Sequence, residues 1–453
     1  MEKTNYIAAI ELTSSKISGV VGIDTYEGTR IIAAESIPVS GIISKGVVRN
    51  VDKASEAISN LINLLDDQLN GPAIKKAYIS LAGLSVHGIT SKVSRGFGEY
   101  VKITQDIIED MECENCDTFQ APEGFERLQV IPQECRLDGK IDNNPIGAHA
   151  KLVECNYLNI VVKKQFYKQL CESMAQAGIE IADISSAAIF DTERMLTDDQ
   201  RRNGCALVNI GAETTTISTY KNNKPRTLTV LPLGSNNITL DLTAERISYD
   251  AAEDLKIARG YKSAHNERDI LNSETVSNVI YARMSEILQN VKYQIEESGE
   301  VNHIVFTGGG SRLNNLGMLL EEFLHNFSTE IRPDWQCDIL ADRNVNAEGI
   351  VTTTLCGLLN LGKENCCEQE LIEVNENGMI FGDDEMTGNN TKEEDAKPTK
   401  VKEHEKPTPK GGKNRSLKIG SLFKQLIDNI TSEEEYKEDD EEQEYMIHEY
   451  GKQ

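Results

Sequence analysis

Apolar and polar positions follow two different periods along the first 362 residues. Short apolar runs bounded by polar or glycine-containing turns predict strands at Tyr6 to Ile10, Ser18 to Ile23, Lys76 to Leu81, Cys205 to Ile210, Thr214 to Tyr220 and Val301 to Thr307. Two more fall near 127–135 and 151–162. Between these runs apolar residues recur at helical spacing. Residues 51–69 place Ala54, Ile58, Leu61, Ile62, Leu65 and Leu69 on one face. Residues 165–177 predict a helix closed by Gly178, and 276–298 a long one. The alternation is that of an α/β chain of at least two lobes.

Beyond residue 362 the pattern lapses. Residues 389–414 hold Pro, Lys and Glu and almost nothing apolar, the composition of a flexible linker. One periodic island follows at 415–430, where Ile419, Leu422, Phe423, Leu426, Ile427 and Ile430 share a helical face. Lys413, Arg415, Lys418 and Lys424 flank that face. An apolar stripe beside basic residues on a long tether suits an interfacial membrane helix. The competing reading is a helix that docks in a protein groove. Residues 431–453 form an acidic tail that opposes anionic lipid.

Charge sharpens this division. The net charge is −26, of which −11 falls in the 91 residues from Lys363 onward and −15 in residues 1–362. So acidic a chain repels nucleic-acid phosphates, and no nucleic-acid partner is expected. No apolar run approaches the ~18–20 residues that span a bilayer, and the N-terminus lacks a signal-peptide pattern. The ten cysteines are scattered through apolar segments, which implies free thiols in a reducing, cytoplasmic setting. Cys113-Glu114-Asn115-Cys116 is a C-x-x-C with neither a second pair nor a nearby His pair, so incidental thiols on a helix are expected rather than a metal or redox site.

Three turns carry candidate chemistry. Val305-Phe306-Thr307-Gly308-Gly309-Gly310-Ser311 is an apolar strand ending in a glycine run, which admits either a close ligand or only a tight turn. Ile10-Glu11-Leu12-Thr13-Ser14-Ser15-Lys16 and Asn209-Ile210-Gly211-Ala212-Glu213-Thr214-Thr215 each join a strand pair through hydroxyls and free backbone amides. Two such hairpins facing each other can grip a polyphosphate, although each taken singly is an ordinary polar turn.

In this order the turns resemble those of the actin-like ATPase superfamily. Further stretches resemble the FtsA family of bacterial cell-division proteins within it. They are Lys45-Gly46-Val47-Val48 with Val51-Asp52, Ile79-Ser80-Leu81-Ala82-Gly83, Val130-Ile131-Pro132, Leu137-Asp138-Gly139 and Asn144-Pro145-Ile146-Gly147. Leu233-Gly234-Ser235-Asn236-Asn237-Ile238-Thr239-Leu240-Asp241-Leu242, Ala252-Glu253-Asp254-Leu255-Lys256, Arg283-Met284-Ser285-Glu286 and Thr354-Leu355-Cys356-Gly357 continue the match.

The resemblance implies an actin-like two-lobe fold of RNase H-like subdomains, with an inserted small α+β domain and a disordered C-terminal tail. Residues 1–82 and 163–200 would form the first lobe, 83–162 the insertion and 201–362 the second lobe. The linker would run over 363–414, the membrane-targeting helix over 415–430 and the acidic tail over 431–453. The cleft would take ATP and Mg. Ser14, Ser15 and Lys16 would form the first phosphate loop, and Gly211 and Thr214 the second. Gly234 would line the cleft, Glu253 and Lys256 would approach ribose and adenine, and Gly308, Gly309 and Gly310 would back the nucleotide. Glu11 and Asn209 would flank the Mg site. Arg283 and Glu286 would meet the C-terminal tail of the tubulin-like protein FtsZ, although an ion pair within one helix turn explains them equally well. Self-association into filaments and contacts with other divisome proteins through the insertion are implied. So is a peripheral position on the cytoplasmic side of the membrane at the septum, with Ile419, Leu422, Phe423, Lys424, Leu426, Ile427 and Ile430 at the lipid surface.

Both phosphate loops depart from the family pattern. Thr13 stands where a glycine is usual, Asn209 where an aspartate helps hold hydrated Mg, and Ala212-Glu213 replaces a glycine-rich continuation. The expectation is therefore a structural adaptor, not an enzyme, whose nucleotide binds weakly or structurally, and no catalytic residue is assigned. The alternatives are a pilus-type actin-like assembly protein and a chaperone- or kinase-like enzyme.

Overall fold

A computed structural model describes residues 4–25, 28–69, 71–188, 195–262, 271–299, 301–332, 340–342, 345–346 and 349–369. The chain opens with the antiparallel run β1 (Tyr6–Leu12), β2 (Lys16–Thr25) and β3 (Gly28–Pro38). A small hairpin follows, β4 (Ile43–Ser44) and β5 (Val47–Val48). Next come helix α1 (Val51–Leu69), β6 (Pro72–Ile74) and β7 (Lys76–Leu81). β1 is buried from Ile7 to Leu12, which is why it reads as a continuous apolar run instead of alternating. α1 packs on this sheet because Gly19 of β2 leaves room for Leu61 and Leu65, and a Cβ there would lie 2.9 Å from the Leu65 Cδ1.

Residues 83–162 fold as a four-stranded sheet of order β10-β9-β11-β8, built from β8 (Val86–Lys102), β9 (Phe125–Leu137), β10 (Lys140–Asp142) and β11 (His149–Lys163). Helix α2 (Gln105–Thr118) lies over it, with Met111 in the insertion's own apolar cluster. Buried Asn115 and Asn159 and half-buried Ser91 close a triangle of hydrogen bonds of 2.5–3.1 Å beneath the helix. β9 and β11 set Cys135 directly opposite Cys155, and the two form a disulfide with Cα atoms 4.1 Å apart. This corrects the expectation that all the thiols are free. The pairing follows from strand register, which a spacing of 20 residues does not reveal.

The chain then returns through α3 (Lys164–Gln176) to β12 (Glu180–Ser186). After α4 (Asp198–Asn203), a second sheet forms from β13 (Cys205–Ile210), β14 (Thr215–Lys221), β15 (Lys224–Leu231), β16 (His303–Thr307) and β17 (Ser328–Ile331). Helices α5 (Asn236–Thr243), α6 (Tyr249–Arg259), α7 (Ser273–Ser298) and α8 (Leu316–Leu324) complete this lobe, with α7 supplying Ile280, Met284, Ile287, Leu288 and Val291 to its core.

The two main sheets repeat one plan. The first runs β12-β7-β1-β2-β3 and the second β17-β16-β13-β14-β15. In each, the two leading hairpins are antiparallel and the two later strands add in parallel. The 12–16 turn is thus the structural counterpart of the 210–215 turn, and Ala82-Gly83 after β7 is the counterpart of Gly308-Gly309 after β16.

Two sequence boundaries shift. β18 (Leu340–Ala341) pairs in parallel with β3, and α9 (Thr353–Leu361) packs on β1 and β7. Leu340–Ala341 and Thr353–Leu361 therefore pack with the first sheet and not, as 201–362 implied, with the second. Residues 363–369 are also part of the body instead of the linker. The amide of Lys363 donates to the Tyr78 hydroxyl (3.0 Å), that of Cys366 donates to the Tyr6 carbonyl (2.7 Å), and β19 (Cys367–Gln369) pairs with β6. The remainder of the linker, the 415–430 helix with its membrane-directed residues, and the acidic tail lie outside the described residues.

Candidate nucleotide cleft

The first turn is closed by Thr13. Its hydroxyl donates to the Lys16 carbonyl (2.8 Å) and accepts from the Lys16 amide (3.2 Å). Thr13 is not among the left-handed residues, so its Cβ is compatible with the turn. Ser14 Oγ accepts from the Gly46 amide at 3.0 Å, and Ser15 is exposed. The Lys16 ammonium donates to the Gly349 carbonyl. Burial pushes its pKa down, Glu11 opposes that shift, and the charge of Arg312 adds to it. Lys16 follows the first-sheet turn and Arg312 follows β16 of the second sheet, so positive charge from the second lobe bears on Lys16. Glu11 is buried and accepts from the Thr352 hydroxyl at 2.6 Å.

The second turn is pinned from behind. The Gly211 amide donates to the Thr214 carbonyl (2.8 Å), and the carbonyls of Gly211 and Ala212 accept from the amides of Ser235 (2.9 Å) and Asn236 (2.7 Å). A Cβ on Gly234 would lie 2.4 Å from the Ala212 carbonyl oxygen. Gly308, at φ +85°, passes under Asn209, whose Oδ1 would sit 2.2 Å from an added Cβ, and a Cβ on Gly310 would meet Ile210 at 2.4 Å. These glycines are required by the protein's own packing. Gly309 differs: nothing lies within 4 Å of the Cβ it lacks. It alone of the run has a side open to a ligand, and this fits a flat or anionic group resting on the loop.

Glu213 points forward. Its Oε2 accepts from the Lys45 amide (2.5 Å) and the Ser44 hydroxyl (3.0 Å), both on the first-lobe hairpin. Both turns therefore converge on residues 44–46, Ser14 from one side and Glu213 from the other. The hairpin is itself fixed: Lys45 and Gly46 are both left-handed, as a two-residue turn requires, and a Cβ on Gly83 would lie 2.2 Å from the Lys45 carbonyl oxygen. Lys45-Gly46 and Gly83 carry the family resemblance in the sequence, but nothing local gives them a place at the site. Ser44 and Thr352 have no counterpart among the predicted site residues, and Arg312, at the end of the glycine run, is given no role. Only the two-residue loop between Ile43-Ser44 and Val47-Val48 carried a local signal.

Glu253 and Lys256, one helical turn apart on α6, meet each other. The Lys256 ammonium donates to Glu253 (2.7 Å) and Thr239 Oγ1 (2.9 Å), and the Thr239 hydroxyl donates to Glu253 (2.5 Å). Lys256 is only 6% exposed. Arg283 binds Asp241 through Nε (2.5 Å) and Nη2 (3.0 Å) and Glu286 through Nη1 (2.9 Å), and these bonds push its pKa up. The pair within one turn is thus present, joined by a bidentate partner on α5 that the sequence did not indicate.

Cys113 and Cys116 lie on α2, and the described residues contain no group of three or more His, Cys, Asp or Glu suited to a metal. A magnesium ion here would have Glu11 as its carboxylate and Asn209 as a neutral partner, a sparse set that relies on nucleotide phosphates to complete it.

The family model described as "Cell division protein FtsA" matches residues 206–346. Proteins described as cell division protein FtsA match from Porphyromonas gingivalis, 27% identical over 72% of this chain and 72% of the relative, and from Borreliella burgdorferi, 28% identical over 70% and 82%. The relative from Escherichia coli K12 is 22% identical over 79% of this chain and 90% of its own. Among solved structures, a chain of a PilM-PilN type IV pilus biogenesis complex is 17% identical, covers 78% of this chain and 98% of that one, and superposes with a TM-score of 0.56. Together with the duplicated sheets and the paired turns, these matches make the chain similar to cell division proteins FtsA over most of its length, with a two-lobe fold shared with the pilus-complex chain.

Proposed function

We propose that this actin-like cell-division protein is an adaptor. It self-associates on the cytoplasmic face of the membrane, holds FtsZ filaments there and gathers other divisome proteins at the septum. The match to FtsA relatives over some 70–80% of the chain carries this reading. The amphipathic 415–430 segment supplies the membrane contact; no helix among the described residues is long and apolar enough to cross a bilayer. An FtsZ tail that reached Arg283 would compete with Asp241 and Glu286 for its guanidinium. The 83–162 domain offers the surface for neighbouring subunits and divisome partners.

The cleft takes ATP weakly or as a structural ligand. Lys16 and Arg312 would face the phosphates, Gly309 would lie beneath them, and ATP when bound would supply charge for both lobes to grip. Glu11 and Asn209 hold any Mg loosely, so turnover is not expected. Titration of the full chain with Mg-ATP tests this directly: weak binding without steady phosphate release is expected, and micromolar binding with sustained turnover would refute it. Liposome co-sedimentation tests the anchor. Pelleting should require residues 415–430, and equal pelleting without them would remove the membrane role.

A further inference from the structure

We propose that the turn at Ser44–Gly46 is an oxyanion cradle and that Glu213 fills it, closing the lobes on each other without nucleotide and competing with an incoming phosphate. This rests on the reading that the cleft takes nucleotide only for the competition; the latch itself stands on geometry.

The cradle is built by backbone conformation. Lys45 (φ 52°) and Gly46 (φ 75°) are the two left-handed residues of a tight turn, which frees their successive amides from the hairpin ladder to meet acceptors outside it. Both amides are used. That of Lys45 donates to Glu213 and that of Gly46 to Ser14 Oγ, with the Ser44 hydroxyl giving a second bond to Glu213. The cradle cannot drift, because Gly83 packs against its tip with no room for a side chain on either partner: a Cβ on Gly46 would lie 2.6 Å from the Gly83 Cα.

The occupant is equally fixed. Glu213 sits on a turn whose carbonyls are held by the start of α5 and whose neighbour Asn209 lies over Gly308. It is half-buried, and its carboxylate is the group that crosses from the second lobe to this hairpin. A carboxylate and a phosphate oxygen present the same chemistry to an amide and a hydroxyl, so the side chain stands in for a bridging phosphate. The glycine-rich continuation expected at this turn has no such group.

Hydrogen exchange on the full chain, read on peptides covering Ile42 to Val48, tests the latch. A charge-assisted bond lost at the Lys45 amide should speed exchange of this turn by about tenfold or more in Glu213→Ala. Glu213→Gln, which keeps a carbonyl oxygen as acceptor without the charge, should show a smaller change. Unchanged exchange in Glu213→Ala would overturn the latch. If that variant fails to fold, Ser44→Ala, which removes one donor and leaves Glu213, should speed the same peptides, and no change would again overturn it. In parallel, Mg-ATP should bind Glu213→Ala about tenfold more tightly than the parent, the gain expected when one charged competitor is removed. Faster exchange with unchanged ATP affinity would overturn the competition. Failure of both proteins to bind ATP would count against the nucleotide reading, while the exchange data still decide the latch.

Discussion

Gly308 and Gly310 lie against Asn209 and Ile210, whereas Gly309 meets nothing of the protein within 4 Å. Three identical letters thus have two different causes, and the sequence cannot separate them because the neighbour arrives from a strand about 100 residues earlier. The cysteines make the same point. Burial pushes the thiols of Cys171, Cys205 and Cys367 up to about 12 and that of Cys366 up to about 11. The unfolded chain releases these protons near pH 9 and the folded chain retains them, so above pH 9 the unfolded state binds fewer protons and stability falls as pH rises. The stability is complete below pH 9 and is lost progressively between pH 9 and about 12, at up to about 1.4 kcal/mol per thiol per pH unit. Thermal melts from pH 8 to 10.5 should show this decline, and Cys205→Ala should make it shallower. An unchanged slope in that variant would mean Cys205 is not a contributor.

At the scale of elements, local pattern located eight strands and three helices of the body and left others unread, β3, β15 and α6 among them. α1 spans Val51–Leu69 as its periodicity requires, and β7 spans Lys76–Leu81. The docking of elements was not legible. The β4–β5 hairpin reaches the end of β7 only because Gly46 and Gly83 both lack side chains and both have positive φ. Gly83→Ala places a Cβ 2.2 Å from the Lys45 carbonyl oxygen on a φ of +90°. It should destabilise the body by about 2–3 kcal/mol, combining left-handed strain with displacement of the hairpin. Urea unfolding checks this, and a midpoint equal to the parent's would show that the contact tolerates a methyl group. The resemblance makes Glu253 and Lys256 ribose and adenine contacts; three apart on α6, they share a helical face and bind each other, and the Thr239 hydroxyl that completes the cluster comes from a different helix.

Across the whole molecule the inserted domain touches both lobes. Glu134 of β9 forms a salt bridge with Arg226 of β15, with both side chains at most 15% exposed. Gln133 Nε2 donates to the Pro225 carbonyl (2.6 Å), and the Lys224 ammonium donates to the Gln133 carbonyl (2.7 Å). This clasp and the Glu213 contact tie the second lobe to the rest of the body at two separate places. Removing one member of a buried pair leaves the other charged and unpaired, so Arg226→Ala should cost about 3 kcal/mol. The double variant Glu134→Ala/Arg226→Ala should recover part of that loss. Equilibrium denaturation of the four proteins measures the coupling, and simple additivity would show that the two charges act independently.

Periodicity, turn chemistry and charge by themselves determined an α/β body, two polar hairpin turns with a glycine run, and a charged C-terminal region with one amphipathic segment. These are properties of residues close together in the chain, where spacing alone sets which side chains share a face. Only the tertiary structure decided that Leu340–Ala341 and Thr353–Leu361 pack with the first sheet, that Cys135 faces Cys155 and that Glu213 meets Ser44 and Lys45. Each of these joins residues that only register or lobe closure brings together, and no local pattern encodes which distant partner will arrive.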